Sequence, residues 1–96
     1  MRHAEKFAAL RGRVLQGPGV VDVATRAAAF EGVGVPDELA SYVEKVVKHA
    51  YKVTDSDIER LRAAGYSEDA IFELTLAAAL GAADTRLAAG LAALSR

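Results

Sequence analysis

Apolar residues recur at helical spacing along most of this chain, and no segment shows the strict alternation of a half-buried strand. The pattern predicts a first helix over residues 3–15, stopped by Gly17, Pro18 and Gly19. A second is expected from about Val20 to Phe30, ending at the Gly32 and Gly34 of "EGVGVP". The third starts at Pro36 or Asp37 and reaches about Tyr51. Proline suits a first helical position, and Asp37 and Glu38 complement the positive end of the helix dipole. Thr54 and Asp57 have the spacing of a capping box at the start of the fourth helix. Gly65 is placed to end that helix in the left-handed conformation. Ser67 opens the last helix, residues 68–94, which Gly81 and Gly90 weaken by about 1 kcal/mol each relative to alanine without ending it. Short connections favour antiparallel neighbours. The expectation is an all-α bundle of about five helices, one domain over residues 1–96.

The last helix has two apolar faces. Leu76, Leu80, Leu87, Leu91 and Leu94 form a stripe of large residues, while Ala78, Gly81, Ala82, Thr85, Ala89 and Ala92 form a face of small ones. An ordinary surface helix has one apolar stripe and a polar back. In so small a chain, the second covering is expected to be another subunit, giving a homo-oligomer. The alternative is a central helix packed wholly by its own neighbours.

On the third helix, Leu39, Val43, Val46, Val47 and Ala50 share the apolar face. Tyr42, Lys45 and His49 fall within about 60° of one another at its edge, on successive turns. A neutral imidazole is the usual general base near neutral pH, a partly desolvated Lys can anchor a carboxylate, and a Tyr hydroxyl can donate to an oxygen. The plainer alternative is a helix edge with snorkelling Lys and Tyr and an exposed His. Metal binding is not expected, because the only other histidine is His3.

Composition narrows the functions. Half of the residues are hydrophobic, the net charge is −1, and Lys45, Lys48 and Lys52 are diluted by Glu44 and Asp55, so no nucleic-acid partner is expected. Without cysteine there is no disulfide, thiolate nucleophile or thiolate metal ligand. The first residues carry no continuous apolar segment of a signal peptide. Glu73, Asp84, Thr85 and Arg86 interrupt the most apolar stretch, so the chain is expected to be soluble and cytoplasmic, with no membrane span and no cofactor.

The stretch from about Leu39 to Leu94, above all "VTDSDIERLRAAGYSEDAIFELTLAAALGA", resembles the carboxymuconolactone decarboxylase and alkylhydroperoxidase D-like family. The resemblance covers somewhat over half of the chain. It implies an all-α, oligomeric fold, commonly a trimer or hexamer. In peroxidase members of that family a helix carries Cys-x-x-Cys-x-x-x-His. With His49 on the motif's histidine, the cysteine positions fall on Tyr42 and Lys45, so thiol peroxidase activity is not implied here. Glu31 is the nearest candidate for the acidic relay residue that precedes the motif.

Two expectations follow from different classes. One is a cysteine-free enzyme in which His49 shuttles a proton and Lys45 anchors an anion, for decarboxylation or isomerisation of a small acid, with Tyr42 and Glu73 as further candidates. Glu73 is chosen because it interrupts an apolar segment; the alternative is an exposed residue in the helix's first turns. Asp84 and Arg86 are expected at the surface or an interface. The other expectation is a non-catalytic oligomeric module that binds a small ligand or a partner protein.

Overall fold

A computed structural model describes residues 2–95, with side chains from residue 5 onward. Among the described residues all regular structure is helical: α1 Arg2–Gln16, α2 Val23–Glu31, α3 Asp37–His49, a 3₁₀ turn Ala50–Lys52, α4 Asp55–Ala63 and α5 Glu68–Leu94. α2 begins later than its apolar pattern suggests because Asp22 caps it. The Asp22 carboxylate accepts from the Thr25 N–H (3.1 Å) and from the Thr25 hydroxyl (2.7 Å), which holds its carboxyl below the usual range. α3 ends at His49, whose φ of −144° leaves the helical region, so the expected last turn becomes 3₁₀. The Thr54–Asp57 capping box forms, Gly65 takes φ +102°, and Ser67 caps α5 through the Ala70 N–H.

α5 is the spine of the molecule. α2 and α3 pack on it most closely, α1 lies along α2 and α5, and α4 closes α3 against α5. Its buried side runs through Ala70, Ile71, Leu74, Ala77, Ala78, Gly81 and Ala82, and meets Ala29 of α2 and Leu39 and Val43 of α3. Leu39 and Leu74 are essentially fully buried, and each contributes roughly 2 kcal/mol of hydrophobic stabilisation. The small-residue face expected from the sequence is therefore covered, up to Ala82, by the chain's own α2. Close approach is the reason for the small residues. A Cβ on Gly81 would lie 2.7 Å from the Phe30 carbonyl carbon, with the carbonyl oxygen nearer still.

Burial on α5 stops at Ala82, and residues 85–95 are all exposed. Twelve residues from Ala83 span about 18 Å of helix. The molecule measures 47 × 28 × 21 Å, and its radius of gyration of 14.1 Å exceeds the roughly 12.5 Å of a compact chain of this length.

Candidate functional site

The four residues singled out on chemical grounds occupy separate places. Tyr42 is buried, rotated further into the core than its edge position on the helical wheel suggests. Its hydroxyl lies 2.7 Å from Thr75 Oγ1, and the Thr75 hydroxyl donates to the Ile71 carbonyl at 2.6 Å. The one threonine proton being used there, Tyr42 is the donor and ties α3 to α5. Replacing Tyr42 by Phe is expected to cost about 1 kcal/mol in urea denaturation, since the packing ring is kept and only this bond is lost.

Lys45 reaches the other way. Its Nζ donates to both oxygens of Asp57, at 2.8 and 3.0 Å, while the Thr54 N–H donates to Asp57 Oδ2 at 2.8 Å. Asp57 is 4% exposed. Hydrogen bonding from Lys45, then from the Thr54 backbone, outweighs desolvation and holds its carboxyl at about 2. The Lys45 ammonium is thus engaged by the α4 cap. A second bond ties the α4–α5 connection to the first turn of α3: the Tyr66 hydroxyl donates to Glu38 at 2.7 Å, which lowers the Glu38 carboxyl and raises the phenol.

His49 is exposed at the end of α3, with the ring of Tyr51 edge-on at 6.1 Å. Glu73 lies on the far side of α5, where it receives the Val20 and Val21 N–H groups at 2.9 and 3.0 Å. It pins the loop before α2 so tightly that a Cβ on Gly19 would meet its carboxylate at 2.5 Å. Glu31 is exposed at the last position of α2. The side chain of His3 lies outside the described residues. Tyr42, Lys45, His49 and Glu73 do not converge on one cavity. The cleft containing Tyr42 is lined with Asp57 and Leu61, and the cleft containing Glu73 is lined with Leu10, Arg26 and Leu76. Among the described residues no three His, Asp or Glu side chains come together as a metal-binding group.

Arg26 is a residue that pattern alone would place on a helix surface. It is 5% exposed, and one guanidinium nitrogen donates to the Val14 and Gly17 carbonyls at 3.1 and 2.7 Å. These are acceptors left over at the C-terminal end of α1, so Arg26 caps that helix from α2. Its Nε has no partner, so it is a cost borne by the junction. The Arg26–Val14 and Tyr42–Thr75 pairings carry no sequence signal, because both join residues far apart in the chain.

Half of the exposed large apolar side chains lie along one element, α5. Phe72 (65% exposed), Leu76, Leu87, Leu91 and Leu94 (82%) are all exposed, and the last two turns, "LAAGLAAL", hold no polar side chain. Leu80 of the expected leucine stripe is buried instead. Phe72 belongs to the exposed stripe and was legible in the sequence from its position four residues before Leu76. Asp84 and Arg86 turn back to their own chain, toward Arg11 (3.8 Å) and the Val47 carbonyl (3.2 Å) respectively. By length and composition alone α5 could cross a membrane, and 28% of its most apolar 18-residue window is buried.

In comparisons with protein-family models, curated proteins and solved structures, nothing matched this chain.

Proposed function

We propose that this chain is a non-catalytic helical module whose task is self-association. The observation that carries the reading is the charge-free end of α5, where Leu87, Leu91 and Leu94 stand exposed on two turns that hold no polar side chain. A helix that is apolar all round is stable in water when something covers it. The acid–base reading around His49 draws no comparable support. The imidazole is exposed, Lys45 is engaged by Asp57, and Tyr42 is spent on Thr75. Sedimentation at micromolar protein is expected to give a species of at least twice the 10.1 kDa chain mass. A monomer at 100 µM would remove the proposal, since interfaces of standard size hold at far lower concentration.

A further inference from the structure

We infer that the partner of α5 is the α5 of a second copy, packed antiparallel about a two-fold axis at Ala83. This rests on the self-association proposed above and specifies its geometry.

The outer stripe is Phe72, Leu76, Ala79, Ala83, Leu87, Gly90 and Leu94, and each of these is exposed. The successive spacings are four, three, four, four, three and four, which read the same from either end. An isologous interface demands this, because one patch must match itself after rotation. The mean spacing is about 3.67 residues, the repeat of nearly straight helices with slight right-handed coiling. Two such helices therefore stay in contact along the whole stripe, about 33 Å.

Side-chain volumes select the direction. With Ala83 opposite its own copy, Ala79 faces Leu87 of the second copy and Leu76 faces its Gly90. The outermost pair is Phe72 with Leu94. Every inner large residue meets a small one, so the layers interdigitate as close packing requires. A parallel, in-register pair would stack Leu76 on Leu76 and Leu87 on Leu87. It would also set Ala79, Ala83 and Gly90 against their own copies and leave gaps between crowded layers. Antiparallel α5 helices also oppose their dipoles. Each bare helix end then lies over the Phe72 and Leu76 of the other copy, so the Leu87, Gly90 and Leu94 side of both exposed segments is covered at once.

Area and charge agree. The chain exposes 6406 Å², against roughly 5,300 Å² for a compact monomer of 10.1 kDa. The excess is enough for one side of a standard interface, about 800 Å² per partner. No stripe position is charged, so the two-fold axis brings no like charges into its centre.

The chain has no cysteine, which makes single-cysteine crosslinking free of background. Under mild oxidation Ala83→Cys is expected to crosslink to itself. Leu76→Cys and Gly90→Cys, each alone, are expected to stay uncrosslinked, because their own copies lie about 21 Å away along the axis. A mixture of those two is expected to crosslink. Independently, Leu87→Glu in the unmodified chain is expected to raise the dimer dissociation constant at least about 30-fold while the far-UV helical signal is kept. Self-crosslinking of Leu76→Cys would overturn the antiparallel pairing. A dimer in which Ala83→Cys stays unlinked would overturn the axis but leave self-association standing. A monomer would remove both, and a monomer that floats with phosphatidylglycerol vesicles would assign the stripe to lipid.

Discussion

Replacing Gly81 by alanine is expected to destabilise the fold by about 3 kcal/mol, lowering Tm by about 12–24 °C in a domain of this size. On helix propensity alone the change gains up to about 1 kcal/mol. Close packing reverses the sign. The added methyl would enter the space of the Phe30 carbonyl, 2.7 Å from its carbon and 3.0 Å from the Phe30 Cα. A side chain there would rotate aside, but this obstacle is the backbone of the last turn of α2. That turn is held by the left-handed Gly32, whose N–H donates to the Ala28 and Ala29 carbonyls. Either α2 moves off α5, uncovering Ala29, Ala77 and Ala78, or α5 bends. Gly12→Ala is the control, since a Cβ there meets open space and the propensity gain should appear undiminished. Urea denaturation at one fixed protein concentration reads both, because self-association shifts apparent stability. Equal stability of wild type and Gly81→Ala would show that α2 does not sit this closely on α5.

Lys45→Met is expected to produce the second large loss, with Tm falling on the order of 10 °C at pH 7. The substitution keeps the apolar stem but removes both hydrogen bonds that Lys45 gives the Asp57 carboxylate, 4% exposed, and leaves it only the exposed Arg60 guanidinium, 3.7 Å away, as a cation. Removing one member of a shielded pair costs more than the pair itself contributes, because the remaining charge stays desolvated. The pH dependence identifies the cause. The folded carboxyl of Asp57 is held at about 2, below an unfolded value of about 3.9. The depressed group thus contributes stability above about pH 4, and loses it as pH falls from 4 through 2. Wild type and Lys45→Met are therefore expected to differ most near neutrality and to have largely converged by pH 2, where Asp57 is about half protonated in the wild type and most of the linked stability is gone. A difference that persisted unchanged at pH 2 would place the loss in packing rather than in the ion pair.

Much of the fold was legible because its signals are local. The Thr54–Asp57 cap, Ser67 at the head of α5, Gly65 at the end of α4 and the breaks at residues 17–19 are each read from a few neighbouring positions, and all formed. The start of α2 slipped because apolar Val20 and Val21 mimic the helical pattern, whereas the Asp22 cap and the Glu73 carboxylate hold them outside the helix. The chemistry of the third helix was less legible. Tyr42, Lys45 and His49 do share one side of α3, yet angular proximity says nothing of what each tip meets. Tyr42 finds Thr75, Lys45 finds Asp57, and His49 passes the edge of the core. Asp57 was recognised as a cap, but its second role needs α4 folded back on α3.

By itself the sequence determined the helical class, most helix boundaries, and the presence of two apolar faces on the last helix. Those properties depend on periodicity and on caps within three or four residues. Tertiary structure alone decided which face is spent inside the chain. α2 crosses α5 at Gly81, where only a hydrogen fits, so the small-residue side goes inward and the Phe72–Leu94 stripe is left outward. It likewise decided that Lys45 and Glu73 serve as ties between elements, since a charged group's partner is set by which helices meet and not by its neighbours in the chain.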